Sequence, residues 1–317
     1  AKCDSNAAVT RPELRKLYSE LEFTGLLKKL DALTQGTQTT TPTAPEIATP
    51  KTDLGSEQLT PEPATNTAAT PERAADSNPG YILVRTADEL QRLLVTLGQA
   101  REFAFDTETT GLNVITDRPI GVSFAVTHGE AYYVPLTSEH LSGITPAQVT
   151  TSLQTLLARS DQTKIGHNVK FDLQMLRNMG IQVRGPFVDT MICDWLLDAG
   201  SRQHGLDACC LRHLNYEKIK TSTLIGAKGQ LPMLAADIND VTRYACEDAD
   251  LTLRLYHKLM PQVTAAGLAQ VLHDIDMPLV PVLATMEQAG VHIDRGELQR
   301  LSRELGAMSD RLVDEVH

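Results

Sequence analysis

Aromatic residues are scarce in this chain of 317 residues, at 4% of the sequence, although 42% of its residues are hydrophobic. No run of about eighteen apolar residues occurs, so no segment is predicted to cross a membrane. A charged leader followed by an apolar stretch is also missing, which argues against a secretory signal. Because the first residue is Ala1 rather than Met, we expect a fragment of a longer protein.

The sequence also lacks any Cys-x-x-Cys pair, and a structural zinc site is therefore not expected. The five cysteines are Cys3, Cys193, Cys209, Cys210 and Cys246. Cys209 and Cys210 lie in an apolar helical pattern and are predicted to be small core residues. This cysteine usage suits a reducing compartment, so we expect a cytoplasmic protein.

An excess of positive charge is missing as well. The net charge is −11, and residues 81–260 carry 17 basic and 20 acidic side chains, a net of −3. Such a balance argues against a surface that binds polyanions in general. Any contact with nucleic acid must therefore be local, or depend on metal ions or on another domain.

Residues 34–79 are rich in Thr, Pro, Ala, Gln and Glu, and no aromatic residue occurs between Phe23 and Tyr81. A segment of this composition buries too little apolar surface to offset the entropy lost on ordering. We therefore predict a disordered linker over 34–79. It would follow the tail of a preceding domain, residues 1–33, which contains one short amphipathic helix or a broken pair of helices near 11–30.

Folded sequence is predicted from Tyr81 onwards. Thr86 and Thr145 have the features of helix N-caps, and the helices that follow them should end near Leu97 and Ala158. A later helix is predicted over about 238–259. The predicted strands cover residues 81–85, 101–107, 119–126, 131–136 and 164–167. Strands with interleaved helices, followed by helices alone, favour an α/β fold with a mixed sheet packed against helices.

Asp106 and Glu108 stand at the end of the predicted buried strand, in the sequence REFAFDTETTGL. Residues i and i+2 of a strand point to the same side, so the two carboxylates project together. Like charges in this position are tolerable in water, or when a divalent cation neutralises them. These residues alone leave both interpretations open, since a solvated strand end running into Gly111 is equally consistent.

Two further polar pairs have a spacing of four residues. Asn168 and Asp172 fall where a strand gives way to a helix, and Tyr244 and Asp248 fall within the predicted helix over about 238–259. Side chains four apart share one helical face. Each pair by itself is also consistent with the polar edge of an ordinary amphipathic helix.

Together, the segments FAFDTETTGL, KIGHNVKFDLQML and YACEDADLTLRL resemble, in order and spacing, the three motifs of the DEDD 3′–5′ exonucleases with tyrosine in the third motif. The chain is most similar to the proofreading modules of bacterial family A DNA polymerases, the DNA polymerase I family. The resemblance covers about 81–317 well and 11–30 weakly. It implies a ribonuclease H-like mixed sheet in an exonuclease domain over 80–261.

The resemblance extends to the C-terminal flank. Residues 276–294 are similar to the start of a polymerase domain, so 262–317 is expected to be its helical beginning. The polymerase active-site motifs are absent from the sequence, and we do not expect this chain to polymerise.

The resemblance also implies roles for individual residues. Four acids would hold two Mg²⁺ or Mn²⁺ ions: Asp106, Glu108, Asp172 and Asp248. Tyr244, helped by Glu108, would orient the attacking water, Leu112 would wedge against the terminal bases, and Asn168 and Thr107 would contact the substrate strand.

Some positions remain open or depart from the family pattern. Lys170 and Arg243 are candidate phosphate contacts, but a solvated surface explains them equally well. Residues 221–225, TSTLI, lack the aromatic that the family often places there to stack on a base. His167 and Trp195 are predicted to serve packing alone, with Trp195 in the core.

The expected function is proofreading hydrolysis of DNA 3′ ends, by a monomer that is joined to a polymerase domain and needs no membrane. A ribonuclease D-like RNA 3′ exonuclease is the alternative enzyme, because it shares the three motifs. A catalytically inactive scaffold is the alternative from another class. The similarity after Asp276 favours the polymerase family, and the complete set of four acids and a tyrosine argues against an inactive domain.

Overall fold

The computed structural model describes residues 72–73, 80–226 and 231–316. The predicted helix near 11–30 and nearly all of the predicted linker over 34–79 lie outside these residues. Within the described ranges, no helix is both long enough and apolar enough to span a membrane.

A mixed six-stranded sheet forms the centre of the described fold. Its strands run in the order β2-β5-β4-β3-β6-β7, with β4 antiparallel to both neighbours and the other pairs parallel. A separate two-residue strand pair, β1 with β8, is parallel. The strands are β1 (Glu72–Arg73), β2 (Gly80–Leu83), β3 (Glu102–Thr109), β4 (Pro119–Thr127), β5 (Glu130–Pro135), β6 (Thr163–Gly166), β7 (Phe187–Asp189) and β8 (Tyr216–Glu217).

Helices flank the sheet and fill the C-terminal part of the chain. The α-helices are α1 (Ala87–Gln99), α2 (Pro146–Leu157), α3 (Val169–Asn178), α4 (Thr190–Leu197), α5 (Leu206–Cys209), α6 (Ser222–Ile225), α7 (Ile238–Ala265), α8 (Ala269–Val271), α9 (Met277–Ala289) and α10 (Arg295–Val316). Short 3₁₀ turns occur at Ser138–His140 and Met233–Ala235, and π-helical stretches at Cys210–Leu214 and Leu272–Asp276. The predicted mixed α/β fold is confirmed.

The helix starts follow the predicted local chemistry. Thr86 accepts a hydrogen bond from the backbone N of Glu89, whose carboxylate accepts one in return from the backbone N of Thr86. Thr145 and Gln148 form the same reciprocal pair at the start of α2. Both predicted caps are therefore confirmed. Helix α7 runs six residues past the predicted end at 259, so the boundary predicted between 261 and 262 falls inside a continuous helix.

The two faces of β3 carry side chains of different size. Phe103 and Phe105 of β3 are buried in one core with Phe124 of β4. The opposite face presents small residues such as Ala104, which pack in a second core with α7 residues that include Ala245. Small side chains on both partners let α7 lie close to the sheet. Because strand side chains alternate, Asp106 and Glu108 share the face of Ala104 and point toward α7.

Helix α9 supports α3 from the side away from β3. The Gln174 amide donates to the Ala284 carbonyl at 3.2 Å and to the Glu287 carboxylate at 2.9 Å. Lys170 forms an ion pair with the same Glu287. The helix that carries Asp172 is thus held partly by a segment outside the predicted exonuclease domain.

Trp195 corrects a prediction, because its side chain is 50% exposed rather than part of the core. The buried face of α4 is formed by Thr190, Cys193 and Asp194. Trp195 follows Asp194 by one residue and is turned by about 100° to the outside. The predicted burial of Cys209 and Cys210 is confirmed.

Gly121 of β4 offers a test of the packing beside the site. A Cβ atom at this position would lie 2.0 Å from the hydroxyl of buried Tyr133. We expect Gly121→Ala to destabilise the fold by about 1–3 kcal/mol, as overpacking of a core does. Thermal unfolding should show a lower Tm for this variant. Gly98→Ala in α1, where the added Cβ meets its nearest neighbour at 3.5 Å, is the control and should not lower it; equal melting of both variants would contradict this packing.

Candidate active site

Three carboxylates from two elements meet where β3 passes under α7. Asp106 and Glu108 come from the strand and Asp248 comes from the helix. One carboxylate oxygen from each lies within 4.8 Å of the other two. Glu108 and Asp248 are buried, and Asp106 is half-buried. The structure thus brings together acids that are up to 142 positions apart in the sequence.

Asp172 joins this group through Thr107. Its Oδ1 accepts hydrogen bonds from the Thr107 backbone N at 3.0 Å and from the Thr107 hydroxyl at 2.6 Å. Asp172 is buried in the first turn of α3, where the helix dipole favours a negative charge. Thr107 is the residue that the resemblance assigns to the substrate, and its hydroxyl donates here to a carboxylate.

Burial and mutual repulsion disfavour the charged forms of these acids. Burial, together with the charge of Asp248, raises the pKa of Glu108 to about 8. Burial raises the pKa of Asp172 to about 7, against the opposing hydrogen bonds from Thr107. The pKa of Asp106 is raised well above its usual value, first by burial and then by the neighbouring carboxylates. Burial likewise raises the pKa of Asp248.

Asp106, Glu108, Asp172 and Asp248 are called the acidic group below. Their donor atoms fit a hard divalent cation. All are carboxylate oxygens, which Mg²⁺ and Mn²⁺ prefer in proteins. Glu108 Oε1 is buried and has no hydrogen-bond partner among the residues that the structure describes. A buried polar atom without a partner is costly, and a bound cation would satisfy it.

Lys218, which was not among the predicted site residues, lies against the acidic group. Its Nζ is 2.7 Å from Asp248 Oδ1 and 3.0 Å from Oδ2, and 4.7 Å from the centroid of the Tyr244 ring. The Asp248 charge keeps the pKa of this buried lysine above its usual value, although burial alone would lower it. No local sequence pattern predicts this contact, because Lys218 follows β8 and lies thirty positions from Asp248 in the sequence.

Tyr244 stands one helical turn before Asp248, as the spacing predicts. Its hydroxyl lies 2.8 Å from the Thr221 hydroxyl, so the segment that lacks the family's aromatic contacts the tyrosine instead. Burial, followed by the charge of Asp248, raises the pKa of Tyr244. The phenol therefore stays protonated and can donate a hydrogen bond.

Asn168 is the residue before α3 rather than a member of it, with a left-handed φ of 62°. Helical spacing therefore does not place it on the face of Asp172, contrary to the prediction. The carboxylate of Asp189 fixes this bend by accepting the backbone N–H groups of Asn168 at 3.0 Å and Val169 at 2.9 Å. Asp189 was not predicted as a site residue, although an Asp before an apolar helix is typical of an N-cap.

The other residues with expected or open roles are dispersed around the acids. Leu112 follows β3 and is 85% exposed. Lys170 is paired with Glu287, as described above, and Arg243 is exposed on α7. The His167 Nδ1 atom lies 2.9 Å from the Thr190 hydroxyl, which fits the predicted packing role.

Comparison with protein families gives one assignment. Residues 81–264, more than half of the chain, match the family described as "3'-5' exonuclease" of the DNA polymerase A type. The matched range contains Asp106, Glu108, Asp172 and Asp248.

Individual relatives agree with this assignment. The chain is 40% identical to the DNA polymerase I of Pseudomonas aeruginosa over 67% of its length, and 35% identical to that of Rhizobium leguminosarum over 75%. These matches cover 24% and 25% of the relatives, so the chain spans about a quarter of their length.

Solved structures show the likeness of the fold. Brucella melitensis NrnC with bound Mg²⁺ aligns with a TM-score of 0.52 at 22% identity, over 66% of this chain and 93% of that one.

The raised pKa values predict how pH affects the protein without metal. The pKa of Glu108 rises from 4.5 to about 8 on folding, so folding takes up protons and the stability present at low pH is lost as the pH rises through that value. Asp106→Asn combined with Glu108→Gln removes this loss. In chelator, the double variant should melt at the same temperature as the wild type near pH 4 and at least about 5 °C higher near pH 8.5.

Added Mg²⁺ supplies the control for this pH experiment. It should reduce the difference in melting temperature between the double variant and the wild type, because it stabilises the wild type alone. Melting curves whose difference stays constant with pH would contradict the electrostatic account.

Proposed function

Because the chain belongs to the family of DNA polymerase I 3′–5′ exonuclease domains, we propose that it edits the 3′ ends of DNA for an attached polymerase. It would hydrolyse the last phosphodiester and release 5′-mononucleotides one at a time. The observation that carries the proposal is the meeting of Asp106, Glu108 and Asp248 with their oxygens within 4.8 Å of one another.

We assign four acids to two divalent cations, Mg²⁺ or Mn²⁺: Asp106, Glu108, Asp172 and Asp248. When bound, such ions lower the pKa of a water and stabilise the charge on the leaving 3′ oxygen. The buried and unpartnered Glu108 Oε1 supports this assignment. So does the repulsion among the acids, which a cation would relieve.

The protein's own contribution would be to hold the attacking water in line with the terminal phosphate. The protonated hydroxyl of Tyr244 is fixed by Thr221 at 2.8 Å and can donate to the water oxygen. The Glu108 carboxylate can accept a hydrogen bond from the same water. Attack forms a new P–O bond and breaks the bond to the 3′ oxygen of the preceding nucleotide, and that oxygen takes up a proton.

Exposed Leu112 would meet the strand beside the reacting phosphate. An apolar side chain that presses between the last bases opposes stacking, which a mispaired or single-stranded end gives up at less cost. Asn168 and the backbone of Thr107 are the proposed contacts to the terminal nucleotide. Mismatched ends would thus reach the acids more often than paired ends.

We further propose that the chain acts as a monomer in a reducing cytoplasm. The described cysteines Cys193, Cys209, Cys210 and Cys246 are free and buried, which suits such a compartment.

Cleavage of 5′-labelled strands tests the function. With Mg²⁺ the chain should shorten single-stranded DNA from its 3′ end, and a matched duplex end more slowly. The isolated chain should bind weakly, because residues 81–260 carry a net −3 and cannot draw in nucleic acid over a distance. Asp106→Asn with Glu108→Gln should lower the rate by ~10³-fold or more, since metal-ion catalysis is worth several kcal/mol.

Two outcomes would contradict the proposal. If RNA of the same sequence were trimmed faster than DNA, the ribonuclease D-like alternative would replace it. If the double variant cleaved at the rate of the wild type, these acids would not be the catalytic centre.

A further inference from the structure

Lys218 places a positive charge within the group of acids. It is buried between the acidic group and α5, and its Nζ contacts both oxygens of Asp248. These oxygens are the ones that Asp248 would offer to a metal ion. Lys218 therefore neutralises the carboxylate that the proposed cation would bind.

A second acid lies within reach of the same lysine. Asp207, in the first turn of α5, has its Oδ1 3.3 Å from Lys218 Nζ, and its side chain is 66% exposed. Lys218 thus stands between a buried carboxylate of the acidic group and a solvated carboxylate outside it. A small rotation of its flexible stem would exchange one partner for the other.

The ring of Tyr244 lies beside this lysine in its present position. Nζ is 4.7 Å from the ring centroid, a distance at which an aromatic face attracts a cation. The ring face gives the ammonium a favourable contact that does not depend on Asp248. The lysine can therefore leave the carboxylate without moving directly into water.

We propose that Lys218 is the counter-ion of the metal-free centre and that it releases Asp248 toward Asp207 when a divalent cation binds. Lys218 then keeps the acids assembled in the absence of metal and weakens metal binding, because the cation must compete with an ammonium already in contact. It is a positioning residue for Asp248. This inference rests on the proposed function, since it assumes that Asp248 is a metal ligand.

The affinity of the whole chain for Mn²⁺ tests the inference directly. It is measured from the electron paramagnetic resonance signal of the free ion. Lys218→Met keeps an unbranched side chain that is one heavy atom shorter, and removes its charge. We expect it to bind Mn²⁺ at least about tenfold more tightly than the wild type, because a unit charge at contact distance is worth more than one decade in affinity even when partly screened.

Lys220→Met is the matched control. Lys220 lies two positions away, is 65% exposed, and has its Nζ 3.8 Å from Glu217 Oε1. The control variant removes the same formal charge from a side chain that is paired with Glu217 rather than with the acidic group. Its Mn²⁺ affinity should therefore stay within about twofold of the wild type, as expected for a screened surface charge. Equal affinities in Lys218→Met and Lys220→Met would overturn the inference.

Asp207→Asn gives an independent arm in case Lys218→Met does not fold. Without the second partner, Lys218 holds Asp248 more firmly, and Mn²⁺ should bind more weakly than to the wild type. Unchanged or tighter binding by this variant would contradict the exchange of partners. The melting temperature in chelator should fall for Lys218→Met, because the buried acids lose their counter-ion, and should be unchanged for Lys220→Met.

The wild type separates failure of this inference from failure of the proposed function. If it binds no Mn²⁺, the metal centre and with it the proposed function are wrong. If it binds Mn²⁺ and Lys218→Met binds equally well, only the role of Lys218 is wrong.

Discussion

The repulsion among the acids at the end of β3 is the constraint on which the rest of the site depends. Asp106, Glu108, Asp172 and Asp248 are held close together, largely out of water, and their pKa values are all raised. A cluster of this kind costs folding stability unless protons, a lysine or metal ions offset the charge. Lys218 supplies such an offset, and Glu108 Oε1, which has no hydrogen-bond partner among the described residues, indicates that the offset is incomplete.

The four acids are held in place by packing and hydrogen bonds from residues that are not proposed to take part in catalysis. Small residues on one face of the sheet bring α7, and with it Tyr244 and Asp248, close to β3. Thr107 ties Asp172 to the same strand, and Asp189 fixes the bend from which α3 starts. Helix α9 supports α3 through Gln174 and Glu287. These contacts therefore stabilise the positions of the four acids, whose mutual repulsion would otherwise drive them apart.

Sequence patterns predicted what depends on neighbours in the chain. The alternation of β3 placed Asp106 and Glu108 on one side, helical spacing placed Tyr244 one turn before Asp248, and the capping residues marked Thr86 and Thr145 as helix starts. They could not predict what depends on distant elements. Lys218 meets Asp248 only through the path of the chain after β8, and the left-handed Asn168 depends on Asp189. Trp195 was predicted to lie in the core, but the polar contacts of Asp194 determine which face of α4 is inside.

The location of bound metal tests the account most directly. Crystals soaked in Mn²⁺ and measured at the manganese absorption edge would show where the ion lies without reference to activity. We expect anomalous density among the carboxylates of Asp106, Glu108 and Asp248, with Lys218 Nζ withdrawn from Asp248. Density elsewhere on the chain, with these acids bare and the lysine still in contact, would contradict the claim that their repulsion is balanced by metal.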